Sequence, residues 1–192
     1  VFVGTGSRHE SASENRNAHF LEHMAFKSTL NRSTDRLAMD IDSIGGQMNA
    51  YTTKEDTTIH ATVLRGDFTK AVELVADVAF NSTFPDKELD KEREVILDEI
   101  NTYRDSPNDD IYDTFEDLIF AGSELGHNIL GTKAALMRHT SESIKRFVAR
   151  THTTDQMVFS SIGNMSVKSV QSVVAVCSPL SLCGSLQCCA AP

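Results

Sequence analysis

The chain has 192 residues, of which 40% are hydrophobic, and 18 basic against 27 acidic side chains give a net charge of −9. That length suits one domain or one and a half, with a core that needs no disulfide staples. The acid excess argues against nucleic acid or an anionic membrane as partner, and no apolar run reaches the roughly 18 residues that mark a membrane span.

Residues 1–5 read as the end of a buried strand, and a polar loop follows over 6–15. Because the chain opens at Val1 inside an apolar run, its natural N-terminus is expected to be missing. No signal peptide is visible, so the cytoplasm is the expected compartment, with an organelle or the periplasm left open by that missing end. A helix is predicted over 17–27 with Phe20, Leu21 and Met24 in the core. Ser33 can cap a second helix striped by Leu37, Ile41 and Ile44, which Gly45 and Gly46 stop. Two strand-like runs, 47–53 and 57–64, form a hairpin around Lys54, Glu55 and Asp56.

Asp67 can cap a third helix carrying Phe68, Ala71, Val72, Val75 and Val78. Pro85 opens a charged helix to about Tyr103, with a buried stripe of Leu89, Val95 or Ile96, Ile100 and Tyr103. Asn108 begins another, with Ile111, Tyr112, Phe115 and Leu118, and Thr140 or Ser141 caps a last one through Phe147 and Val148. A strand is predicted over 157–162. Strands clustered with helices between them imply an α+β fold: a mainly antiparallel sheet with helices packed on one face.

Residues 1–165 are expected to form this domain, and 166–192 an atypical tail. No charged residue follows Lys168, and Cys177, Cys183, Cys188 and Cys189 are the only cysteines. Their spacing fits neither a disulfide framework nor a zinc site, which suggests a truncated or misread end.

The sharpest motif is His19-Phe20-Leu21-Glu22-His23. On a helix, positions i, i+3 and i+4 share a face, so both imidazoles and the carboxylate point the same way. Two neutral imidazoles suit zinc, and a nearby carboxylate can take a proton from zinc-activated water. The bland alternative is a solvated face with two incidental histidines. A zinc site needs a third protein ligand; the helix from Pro85 offers Glu92 and Glu99 on one face, extended by Glu88, but that stripe alone names no ligand.

The segments HFLEHMAFKST (19–29), GGQMNAYTTKEDT (45–57), EREVILDEI (92–100) and LGHNILGT (125–132) together resemble a pitrilysin-type zinc metallopeptidase. The pattern is most similar to the mitochondrial processing peptidase β-subunit and its bacterial relatives. The resemblance implies a half-domain of the processing-peptidase type that binds one zinc ion through His19, His23 and Glu99. It implies Glu22 as general base and Glu92 as an assisting acidic residue. Asn49, Ala50 and Tyr51 match the sheet edge beside the family's active site, where an extended peptide can add as a strand; otherwise they are a plain hairpin strand.

Family enzymes enclose their substrate between two such units, so the implied partners are peptides, with basic ones favoured by the charge, and a second homologous domain or subunit in a homodimer or heterodimer. The expected function is a zinc-dependent metalloendopeptidase. The rival expectation is a zinc-binding but inactive fragment or structural subunit.

Overall fold

A computed structural model describes residues 1–11, 14 and 16–177. The strands are β1 (Phe2–Val3), β2 (Gln47–Thr52), β3 (Thr57–Thr62) and β4 (Met157–Val158). The helices are α1 (Asn17–Ala25), α2 (Thr34–Ser43), α3 (Phe68–Asn81), α4 (Asp86–Arg104), α5 (Pro107–Ile119), α6 (Lys133–Leu136), α7 (Ser141–Thr151) and α8 (Val167–Cys177). Cys183, Cys188 and Cys189 lie outside the described residues, as does most of the expected tail.

The strands form one antiparallel sheet in the order β2-β3-β1-β4, with Gln47 opposite Thr62, Val3 opposite Thr57 and Phe2 opposite Val158. Strand alternation decides what each face meets. Val3, Ala50 and Ile59 are buried, whereas Phe2, Asn49, Tyr51 and His60 are exposed. One face therefore carries the core and the other meets solvent, the arrangement an antiparallel sheet permits.

Two apolar clusters lie on the core side. One joins the sheet to α2 and α3 through Leu37, Ile44, Ala71, Leu74, Val75 and Val78. The other joins α1, α4 and α7 through Phe20, Met24, Leu89, Ile96, Ile100 and Phe147. Ala25 belongs to the first cluster and Ala18, Phe20, Leu21 and Met24 to the second, so α1 is buried between them.

The local signals act as expected at several points. Ser33 accepts from the Arg36 backbone N–H, and Thr140 forms a capping box with Ser143. Gly45 follows α2 at φ +60°, and a Cβ on Gly46 would meet the Thr62 carbonyl at 2.4 Å. That turn thus needs both glycines.

Other expectations are corrected. Asp67 precedes α3 but makes no capping bond, because a 3₁₀ turn at Arg65–Asp67 leads into the helix. Tyr103 is exposed at the end of α4, and Ile96, not Val95, continues its buried stripe. The final strand is two residues long, since β1 offers it only Phe2 and Val3. The Ile111, Tyr112, Phe115 and Leu118 face of α5 is open to solvent, because α5 packs on α4 and the 3₁₀ turn Glu124–Gly126 by its other side.

Arg32 ties the turn after α1 to two helices. It reaches Asp40 of α2 at 3.0 Å and Asp77 of α3 at 2.5 Å, and it also pairs with Glu73. Thr29, Asn31 and Asn81 donate to the same Asp77 carboxylate. Burial alone would raise the Asp77 pKa, but these donors together hold it below the ordinary range, and Arg32 does the same for Asp40.

Two outcomes are expected. Phe147→Ala should cost about 3–5 kcal/mol in urea unfolding, and Phe115→Ala, starting from 59% exposure, less than about 1 kcal/mol. Carboxyls depressed in the native state add stability above their unfolded pKa and lose it as pH falls through the native one. The thermal midpoint should therefore drop as the pH falls below the ordinary carboxylate range of about 4, and drop less steeply in Arg32→Met.

Candidate metal centre

The N-terminus of α1 is fastened by a residue far outside the helix. Glu10 is buried, and its carboxylate accepts from the Arg16 N–H at 2.6 Å and the Ala18 N–H at 2.7 Å. Two otherwise orphaned donors are satisfied and a negative charge meets the positive end of the helix dipole. Burial pushes the Glu10 pKa up to about 7, against the pull of those two N–H groups.

With α1 fixed, His19 and His23 stand one turn apart with ring centroids 4.7 Å from each other. Glu99 comes from the facing side of α4. Its Oε2 lies 3.5 Å from His19 Nε2 and 3.4 Å from His23 Nε2. Two ligands about 2.0–2.1 Å from a tetrahedral zinc ion are separated by about 3.3 Å, so the spacing fits a shared ion. Glu99 Oε2 is also shielded from water and forms no hydrogen bond of its own, an orphaned acceptor that a cation would satisfy. These are the three residues that group as a possible metal site among those described.

Neighbouring groups prepare the donors. Glu92 Oε2 sits 3.2 Å from His23 Nδ1 while its Oε1 meets Lys27 Nζ at 2.6 Å. With Nδ1–H donating to Glu92, the Nε2 lone pair of His23 is left for a ligand. Burial, aided by His23, lowers the His19 pKa to about 4, so its imidazole is neutral. Burial works against a charged His23, but Glu99 and Glu92 outweigh it and raise its pKa. The close His23 holds the Glu99 carboxyl below its usual range.

Glu22 projects from the same helix toward Thr52 of β2. Burial raises its pKa, opposed by hydrogen bonding to Thr52. A carboxylate shifted toward neutrality is a better proton acceptor and donor at neutral pH.

The geometry gathers His19, Glu22, His23, Glu92 and Glu99, and leaves Glu88 paired with Lys91 instead. Asn49, Ala50 and Tyr51 are on the sheet edge beside α1, where Thr52 Oγ1 donates to the Ala18 carbonyl at 3.3 Å. Asn49 and Tyr51 nevertheless direct their side chains to the solvent face, and only Ala50 faces the core. The sequence reading missed Lys27, Thr52, Glu10 and Arg16. Lys27 carried a signal, lying four residues beyond His23, whereas Glu10 acts across a loop with no periodicity to reveal it.

Residues 1–133 match the profile of Insulinase (Peptidase family M16). The chain belongs to this family. An uncharacterized zinc protease of Bacillus subtilis, YmxG, is 40% identical over 173 residues, covering 90% of this chain and 42% of its own length. A Rickettsia bellii zinc protease is 38% identical over 165 residues, covering 86% of this chain and 40% of its own. The chain thus spans about two fifths of the length of these relatives. A protease from Helicobacter pylori shares the fold at a TM-score of 0.86 and 23% identity, over 94% of this chain and 44% of that one. The inactive M16 domain from Pseudomonas fluorescens does so at 0.84 and 16%, over 93% and 44%.

Glu99→Ala should abolish stable zinc retention, because it removes one of the three candidate donors. Glu92→Gln should keep the ligand set and weaken zinc affinity by about 10–100-fold. Elemental analysis after dialysis and competition with a chromophoric chelator measure the two effects.

Proposed function

We propose that this chain is the catalytic half of a zinc-dependent metalloendopeptidase. The observation that carries the reading is the position of Glu99 Oε2, 3.5 Å and 3.4 Å from the two imidazole nitrogens. His19, His23 and Glu99 would hold one zinc ion, with Glu92 orienting His23. A zinc ion there would polarise the scissile carbonyl and make a bound water acidic.

The remaining chemistry belongs to the chain. The Glu22 carboxylate takes a proton from the attacking water and returns it to the leaving amine. Lys27 holds Glu92 in place. An extended peptide adds to the open edge of β2 at Asn49, Ala50 and Tyr51 through main-chain hydrogen bonds. Selection along that edge is then weak in side-chain terms, since Asn49 and Tyr51 face away from the core. The net charge of −9 favours basic peptides as substrates. The greater length of the relatives supports a second homologous half, as a further domain or as a subunit in a homodimer or heterodimer.

A zinc-binding but inactive half is the second reading, favoured by the likeness to the inactive domain from P. fluorescens. The presence of Glu22 on the same helix as both histidines favours activity. Incubation with an unstructured basic peptide, with and without chelator, separates the two: cleavage abolished by chelator supports the enzyme, and bound zinc without cleavage supports the inactive half. Glu22→Gln should retain zinc and lose about 10²–10⁴-fold in turnover, and undiminished cleavage by that variant would overturn the general-base role.

A further inference from the structure

The open edge of β2 does not present every residue alike. Opposed residues of an antiparallel pair alternate between those that exchange main-chain hydrogen bonds and those that do not. At the turn between β2 and β3 the Thr53 N–H donates to the Asp56 carbonyl at 2.8 Å, which fixes the phase of the ladder. Tyr51 with Thr58, Asn49 with His60 and Gln47 with Thr62 are then the bonded pairs, and Ala50 with Ile59 is not one. Ile59 agrees from its other side. It exchanges both main-chain bonds with Val1, at 2.9 Å and 2.7 Å, so its N–H and carbonyl face β1. Because β2 ends the sheet, the main chain of Ala50 faces the open edge, whereas those of Asn49 and Tyr51 face β3.

The outward N–H of Ala50 already has an acceptor. It donates to Asn49 Oδ1 at 2.9 Å, a side-chain oxygen in the place that a peptide carbonyl would take. Asn49 is exposed, so its side chain can turn into solvent without disturbing the core. The donor is also close to the candidate metal centre. It lies two residues, about 7 Å of strand, from Thr52, whose Oγ1 donates to the carbonyl of Ala18, the residue before His19.

We propose that Asn49 is a built-in competitor of the substrate: its Oδ1 holds the Ala50 N–H in the free protein and must leave before an extended peptide can bond there. This rests on the reading of the β2 edge as the peptide-binding strand. The contact satisfies an edge donor that would otherwise template pairing with any other chain. It also raises the threshold for a true substrate. A hydrogen bond between uncharged groups is worth about two- to tenfold in an equilibrium constant, net of what water would offer the same donor, and Asn49 weakens peptide binding by that factor.

The test uses an unstructured, uncharged, fluorescent peptide of serine, threonine, glutamine and valine. It is titrated by anisotropy against the whole chain in a Glu22→Gln background, so that it is not cut. Asn49→Ala removes the acceptor, and Asn49→Gln carries the amide too far from the backbone to close the same short ring. Both should bind the peptide about two- to tenfold more tightly than the Glu22→Gln chain. Asn49→Asp keeps an acceptor at the same position and should bind it no more tightly. A copy of the peptide N-methylated at every residue lacks main-chain donors and should bind about tenfold or more weakly. Circular dichroism establishes which variants fold, and either of the Ala and Gln variants carries the test without the other. Unchanged or weaker binding in a folded Ala or Gln variant, or equal tightening in Asn49→Asp, would overturn the role of Asn49 while weak binding of the N-methylated copy keeps the edge reading. Equal binding of the two peptides, or no binding of either, would overturn the edge reading and the proposal together.

Discussion

The apolar seam between α1 and α4 sets the distance from which everything at the candidate metal centre follows. Phe20, Leu21 and Met24 on α1 and Leu89, Ile96 and Ile100 on α4 share one cluster with Ile144 and Phe147. Burying each such side chain is worth about 1.5–3 kcal/mol, and together they offset the cost of taking two imidazoles and two carboxylates partly out of water. A helix turns about 100° per residue, so the register of this seam decides which acidic residue of α4 faces the histidines. With Leu89, Ile96 and Ile100 inward, Glu92 and Glu99 fall beside α1, and Glu88 does not join them.

Around that seam, charge is arranged so that each carboxylate has a specific counterpart. Glu10 has the end of α1, Glu92 has Lys27 and His23, and Glu99 has the two imidazoles. The arrangement leaves one acceptor, Glu99 Oε2, without a hydrogen bond between two nitrogen atoms. An unmet buried acceptor at such a place is the expected state of a ligand whose partner is an ion and not a protein group. Arg16, at the start of α1, is buried, and its guanidinium donates to the Thr132 carbonyl at 3.2 Å.

Much of this was legible in the sequence because it is local. The spacing of His19, Glu22 and His23, the glycine stop at Gly45 and Gly46, the hairpin, and the stripe of α4 are set by helical or strand periodicity within a few residues. The solvent face of α5 was not legible, because an apolar stripe marks a helix face without saying whether this chain supplies anything to cover it. The exposure of Tyr103 and the shortness of β4 have the same origin: each depends on a neighbour elsewhere in the chain, and periodicity carries no information about neighbours.

The sequence by itself determined the chemistry of the donors: two imidazoles and a carboxylate on one helical face, with further carboxylates available two turns apart on another. The resemblance to a known motif singled out Glu99, but only the tertiary structure put it 3.5 Å from His19 and gave Glu92 to Lys27. It alone decided that Asn49 and Tyr51 face solvent, and that Arg16 is buried. The physical reason is range. Periodicity and capping act within a turn or two of the backbone, whereas ligand distance, burial and the field at a metal site are set by side chains brought together across 76 residues of chain between His23 and Glu99.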